Sequence, residues 1–203
     1  MIGFSNGMYP FIVIEGLDGV GKSTQVEKLA SMICADVVQC PPFINDPLNP
    51  GYDLRKRMDQ ASHSRRREYY RMSNFIASEQ IRARLKNQPV VVDRYWTSTA
   101  AFSAMDDTPP SWEPIGVYPG GLLVPDIVFL LTVDEENRAL RISGRGLAMT
   151  SEEKRLERKK EQRQEVLNLY RMFDPIEIDT SGLSAEAVFN QIMYWLKESC
   201  LIE

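Results

Sequence analysis

A three-layer α/β/α fold around a five-stranded parallel sheet is the architecture that this 203-residue sequence predicts. Two observations carry that prediction. Short β-branched and apolar runs alternate with longer helical patterns, as in parallel sheets built from crossover helices. The first of those runs, Phe11–Glu15, leads directly into Gly16-Leu17-Asp18-Gly19-Val20-Gly21-Lys22-Ser23-Thr24. That stretch matches G-x-x-x-x-G-K-[ST] in full and sits between a strand and a helix, where the pattern has physical meaning.

The elements follow in order. Phe11–Glu15 is an apolar run covered on both faces, and Lys22–Ile33 is the helix after it. Asp36–Gln39 is a second strand. Pro41–Asp53, rich in Pro, Asn and Asp, is irregular and gives way to a short helix over Leu54–Met58. Glu68–Lys86 is a long helix, Val90–Asp93 a buried strand and Thr97–Ala104 a helix. Asp106–Pro125 carries Asp-Asp, Pro-Pro and Gly-Gly and is irregular again; long loops in compact domains are often functional. Asp126–Val133 is a strand, Glu135–Ser143 and Ser151–Met172 are helices, and Ile176–Ile178 is the last strand. The helix Ser184–Lys197 opens on Ser184, a suitable N-cap. Residues 1–203 read as one domain without repeats or low-complexity tracts.

Composition narrows the function. Hydrophobic content of 43% and charged content of 26% are ordinary for a soluble globular chain. No apolar run approaches the ~18 residues that span a membrane, and the first ten residues read as neither signal nor transit peptide. A cytoplasmic location is the expectation, or a mitochondrial one if a targeting segment lies outside this sequence. Cys34, Cys40 and Cys200 are an odd set without C-x-x-C spacing and read as reduced thiols. The lone His63 has no partner histidine for a metal site. A net charge of −4 argues against a nucleic-acid binder.

The chemistry begins in the glycine-rich loop. Its curled backbone aims several N–H groups at one phosphate, and the following helix N-terminus adds favourable dipole charge. Lys22 brings a point charge to the β/γ-phosphates and the Ser23 hydroxyl is suited to Mg²⁺. Val90-Val-Val-Asp93-Arg94-Tyr95 ends the next buried strand with an acid and a base. An acid at that tip is placed to hold Mg²⁺, directly or through water, and a planar guanidinium beside it suits a phosphate. Ligands of doubly wound sheets bind at the carboxyl ends of the strands, where both motifs emerge.

These residues resemble the thymidylate kinase superfamily of nucleoside monophosphate kinases, members of the P-loop NTPase fold with a helical lid. The match runs through Ile14–Gln25, Val92-Asp93-Arg94-Tyr95 with Ser98, Ala101 and Phe102, Pro125–Leu131, and Arg141-Ile-Ser-Gly-Arg145-Gly146. It covers essentially the whole chain in order. The resemblance implies ATP and Mg²⁺ as cofactors, with ATP held by Gly16, Leu17, Asp18, Gly19, Val20, Gly21, Lys22, Ser23 and Thr24. It implies a metal site at Ser23 and Asp93. Asp18 looks like the carboxylate that reaches the acceptor, and Arg94 like the arginine bridging donor and acceptor phosphates. Family members place an extra catalytic arginine either in the phosphate loop or in the lid. This loop has none, so the lid, over about 141–160, is expected to supply it through Arg141 or Arg145, with Arg155 and Arg158 behind them. The catalytic set is then Lys22, Asp93, Arg94 and Arg145. Arg141 and Arg145 also face ATP.

The acceptor is a pyrimidine nucleoside monophosphate in this reading, of the dTMP type, with UMP, CMP, dUMP and dCMP open. Tyr69-Tyr70-Arg71-Met72-Ser73-Asn74-Phe75 departs from the thymidylate kinase pattern. The Pro41-Pro42 loop and the run Trp96–Ala100 look more like the mitochondrial-type UMP/CMP branch. Acceptor contacts are expected from Asp18, Arg55, Tyr70, Arg71, Asp93, Arg94, Tyr95, Ser98, Thr99 and Phe102. Tyr69, Tyr70 and Phe75 compete for a stacking role against plain helix packing. Two other classes stand as rivals. A deoxynucleoside kinase usually reads Asp/Glu-Arg-Ser where this chain has Tyr95. A silent nucleotide-binding switch would lack Lys22, Arg94 or the lid arginines. Membrane and nucleic-acid partners are not expected, and a homodimer is common in the family.

Overall fold

The computed structural model describes residues 9–42, 50–106, 114–144 and 160–202. Its five strands are β1 (Phe11–Glu15), β2 (Asp36–Gln39), β3 (Val90–Asp93), β4 (Ile127–Thr132) and β5 (Ile176–Asp179). They form one sheet in the order β2-β3-β1-β4-β5, and every pairing is parallel. Register aligns Ile14 with Asp93, so the end of β1 and the acid of β3 open on the same edge. Asp126 Oδ2 accepts the N–H of Phe11 at 2.8 Å and so fixes the other end of β1.

Among the described residues the helices are α1 (Lys22–Ile33), α2 (Pro50–Asp59), α3 (His63–Arg84), α4 (Trp96–Ala104), α5 (Glu135–Ser143), α6 (Lys160–Arg171) and α7 (Ala185–Glu198). Alternate residues of β1 point to opposite sides and build the layers. Ile12 and Ile14 pack with Val26 and Leu29 of α1 and Val188, Phe189 and Ile192 of α7. Phe11 and Val13 pack with Ala77 and Ile81 of α3, with Leu85 just after it and with Trp96. Between α4 and α6, Ala101, Leu130, Val166 and Tyr170 close a third cluster against Leu17.

Strand boundaries agree with the sequence to within a residue, and the helices differ in instructive ways. α2 starts at Pro50 rather than Leu54, because proline is suited to a first helical turn where its missing N–H has no partner to lose. α3 starts at His63 rather than Glu68. Its first turns carry no apolar stripe and are held by charge instead, as Arg66 Nη2 sits 3.1 Å from Asp106. The long helix expected from Ser151 is described from Lys160 onward; residues 145–159, with Arg145, Arg155 and Arg158, lie outside the described residues. Ser184 does cap α7, accepting the N–H of Ala187 at 3.1 Å. No helix among the described residues is long and apolar enough to cross a membrane.

Candidate active site

The glycine-rich loop leaves the centre of the sheet and folds back on its lysine. Lys22 is 6% exposed, donates from Nζ to the carbonyl of Leu17 at 2.9 Å and lies 3.9 Å from Asp18. Burial, with Arg94 nearby, lowers its pKa to about 8, against the pull of Asp18, Asp93 and Glu15. Ser23 follows on the first turn of α1 and donates from Oγ to Asp93 Oδ2 at 2.9 Å. That contact joins the phosphate loop to the tip of β3.

Arg94 takes the next position with φ +66°, a left-handed backbone that few non-glycine residues adopt. Its N–H bonds the carbonyl of Ile14 at 3.1 Å. Nη2 donates to Asp18 Oδ1 at 2.7 Å, while Nη1 reaches Ser98 Oγ at 3.2 Å and the Tyr170 hydroxyl at 3.1 Å. Burial works against its charge, but Asp18, Tyr170, Glu15 and Asp93 hold its pKa well above the usual arginine value.

Two cavities meet here. One, of about 310 Å³, is lined by Asp18, Ser23, Arg55, Tyr70, Asp93, Arg94, Tyr95, Ser98, Thr99 and Phe102, and also by Arg66, Arg67, Ser103 and Asp106. The other, of about 600 Å³, runs over Asp18–Gln25 to Arg141, Thr180, Ala185 and Val188. Asp18, Ser23, Asp93 and Arg94 line both. The residues common to the two chambers are therefore an acid, a hydroxyl, a second acid and a guanidinium.

The structure brings together most of the expected residues. Gly19, Val20, Gly21 and Thr24 line the larger cavity. Gly16 and Leu17 do not, and the Leu17 side chain is buried in the core beside Ala101. Arg141 lines that cavity with its guanidinium tied to Thr180, Nη1 on Oγ1 and Nη2 on the carbonyl, both at 2.8 Å. Arg145 falls outside the described residues. In the smaller cavity Tyr70 donates its hydroxyl to Asp59 at 2.8 Å, and Arg55 lies 3.6 Å from the same carboxylate. Tyr69 and Phe75 are not among the lining residues.

Arg71 was expected among the acceptor contacts. It does not line the cavity, and its guanidinium sits over the Phe75 ring at 5.1 Å from the centroid. At 100° per residue the lining positions Arg66, Tyr70 and Arg67 span an arc of about 100°, and Arg71 lies about 40° past the Arg67 edge of it. Several residues were missed. Asp106 is a buried carboxylate between Arg66, Arg67 and His63 at 3.1, 3.4 and 3.4 Å. Asn74, also buried, donates from Nδ2 to Oγ1 of the expected Thr99 at 2.7 Å. Glu15 and Tyr170, both fully buried, stand behind Arg94. The signal for Glu15 was present, an acid closing an otherwise apolar strand. Nothing local marks Tyr170.

Known proteins are similar to this chain in sequence and in fold. The chain is 32% identical over 202 residues to human mitochondrial UMP-CMP kinase 2, covering 95% of this chain but spanning only 44% of that relative's length. It is 31% identical over 193 residues to a probable thymidylate kinase of Methanocaldococcus jannaschii, covering 92% of this chain and 95% of that one. The fold matches the thymidylate kinase structure from Candida albicans with a TM-score of 0.73 at 20% identity, over 96% of this chain and 94% of that chain. The family model "Thymidylate kinase" matches residues 14–192, and the chain belongs to the thymidylate kinase family, whose members are nucleotide-using phosphotransferases.

Proposed function

We propose that this protein transfers the γ-phosphoryl group of ATP to a pyrimidine nucleoside monophosphate, with dTMP to dTDP as the type reaction. The observation that carries this reading is the pair of cavities joined at Asp18, Ser23, Asp93 and Arg94. Phosphoryl transfer needs two nucleotides held in line with cations around the moving group and little covalent chemistry from the protein. The larger chamber, over the phosphate loop, takes the donor. Loop amides and Lys22 hold its phosphates, and Arg141, fixed by Thr180, forms the wall beside its nucleoside. The smaller chamber takes the acceptor, with Arg55 and Arg94 toward its phosphate and Tyr70, Thr99 and Phe102 around its nucleoside.

Ser23 and Asp93 fit Mg²⁺, for they present two hard oxygen donors within 2.9 Å at the junction. Bound there with the donor phosphates, the ion supplies charge neutralisation. Lys22 and Arg94 add theirs from fixed positions. The cation expected from Arg145 is part of the same proposal. Asp18, bonded to Arg94, orients that guanidinium between the chambers. No histidine or cysteine enters. Cys40 lines the acceptor chamber, but burial raises its thiol pKa well above the usual range.

A coupled assay of ADP release across dTMP, dUMP, dCMP, UMP, CMP and thymidine tests the proposal. Turnover is expected with the monophosphates, greatest with dTMP. Turnover on thymidine alone overturns it in favour of nucleoside phosphorylation, and ATP binding without turnover on any acceptor favours a switch.

A further inference from the structure

Glu15 is the last residue of β1, is 0% exposed, and takes no part in the reaction as described. Its carboxylate is nonetheless fully engaged. Oε1 accepts the N–H of Tyr95 at 2.8 Å and of Ser98 at 3.2 Å, and Oε2 accepts the Ser98 hydroxyl at 2.6 Å. Those N–H groups belong to the start of α4, so the acid caps that helix at its favourable dipole end. No guanidinium or ammonium touches it directly in these contacts. Burying a carboxylate on such terms is costly, and packed apolar residues often give equal or greater stability. The reason for the acid lies in what it orients.

With its hydrogen given to Glu15, Ser98 Oγ turns its lone pairs toward the Tyr170 hydroxyl at 2.8 Å and Arg94 Nη1 at 3.2 Å. A guanidinium can only donate, so Tyr170 and Ser98 both accept from Nη1, and the Tyr170 hydrogen is left for Ser98. An acceptor-only group at Glu15 thereby sets the direction of each hydrogen bond up to Arg94. The chain joins β1, α4 and α6, and it ends on a side chain whose own backbone is in the left-handed region. Such a backbone persists only where its surroundings over-determine it.

We infer that Glu15 is a positioning residue for Arg94, acting through Ser98 and Tyr170 to fix the guanidinium with Nη2 on Asp18 at the junction of the two cavities. Its kinetic consequence rests on the proposed phosphoryl transfer, while its geometric consequence does not. Glu15→Gln keeps an oxygen for the two N–H groups but presents an NH₂ to Ser98. The hydroxyl must then send its hydrogen to Tyr170, which reverses that bond and leaves the Tyr170 hydrogen without an acceptor in the chain. Tyr170→Phe removes the second acceptor without changing shape.

The test joins crystallography with kinetics on these variants and their double. In both single variants Arg94 Nη2 is expected to move beyond about 3.5 Å of Asp18 Oδ1. With dTMP, kcat is expected to fall at least about tenfold while the KM for ATP stays within about twofold and the melting temperature barely changes. The double variant should be no slower than the slower single one, since both break one chain. The inference is overturned if Arg94 stays in place with kcat unchanged, if the two losses multiply, or if the loss follows a fall in melting temperature. Should Glu15→Gln not fold, Tyr170→Phe decides alone by the same readings. A wild-type protein inactive on every monophosphate would sink the proposed function, and the position of Arg94 in the variant crystals would still decide this inference.

Discussion

Arg94 Nη2 and Asp18 Oδ1 are 2.7 Å apart, which ties the tip of β3 to the phosphate loop. Charge-assisted contacts of this length are among the stronger hydrogen bonds. Asp18→Ala releases the guanidinium from the junction. We predict that kcat/KM for the acceptor falls on the order of a hundredfold. The dissociation constant for ATP should change by less than about threefold, because Lys22 keeps its bond to Leu17. Calorimetric titration of ATP beside steady-state kinetics checks this. An equal loss on both sides would make the pair a donor-site feature.

Lys22 has a pKa lowered from 10.5 to about 8, chiefly by burial. Between those values the unfolded chain binds more protons than the folded one, so the Lys22 contribution makes stability rise with pH across that window. Below about pH 8 the lysine is charged in both states, and its burial opposes folding by on the order of a few kcal/mol. Lys22→Met is therefore expected to raise the melting temperature at pH 7 while abolishing turnover. Bound phosphates restore the charge, so ATP binding should take up about half a proton at pH 8 and almost none at pH 6. Calorimetry in buffers of different ionisation enthalpy reads this directly, and equal uptake at both pH values would exclude the lowered pKa.

The two outer glycines of the loop pattern predict unequal costs. Gly16 has φ +139°, and an added Cβ would come within 2.3 Å of the Leu131 carbonyl oxygen, which is backbone and cannot move aside. Gly21 has φ +96° with nothing within 4 Å of the added atom. Gly21→Ala meets only backbone strain of about 1–2 kcal/mol, whereas Gly16→Ala meets strain plus a clash with β4. Thermal melts without nucleotide should show the larger drop for Gly16→Ala. Equal drops would mean that the loop relaxes away from β4.

Where the sequence was legible, the physics was local. The path from Phe11 to Ile33 is written in one apolar run, a glycine pattern and a helical period, and each needs only its neighbours. Asp93 and Arg94 were legible for the same reason, as polar residues ending a buried strand. The start of α3 was not, because residues 63–67 are held by Asp106, some 40 positions away, and no periodicity records a charge contact. Tyr170 was hidden similarly: in a helix dense with Arg, Lys and Glu it is one apolar position, and its hydroxyl meets Arg94 only through the packing of α6 on α4. Arg71 shows the limit of motif reading within a helix, where a neighbouring position faces elsewhere.

That rotation yields the last prediction. The smaller cavity is also lined by Asp106, whose side chain is 1% exposed and lies against Arg66, Arg67 and His63. Asp106→Ala takes one buried carboxylate from two arginines. Because those arginines keep some solvent, the expected loss of stability is about 2 kcal/mol, below that for a wholly buried pair. Asp106 then no longer fixes either guanidinium at the cavity wall, so the KM for dTMP should rise at least about tenfold with the KM for ATP within about twofold. Arg67→Ala removes a lining side chain and should raise the acceptor KM in the same direction. Arg71→Ala removes one that stacks on Phe75 outside the cavity, and its acceptor KM should stay within about twofold of the parent. Acceptor titrations at saturating ATP on the three variants separate these outcomes. A rise for Arg71→Ala equal to that for Asp106→Ala would return Arg71 to the acceptor site and show that α3 turns when the nucleotide binds.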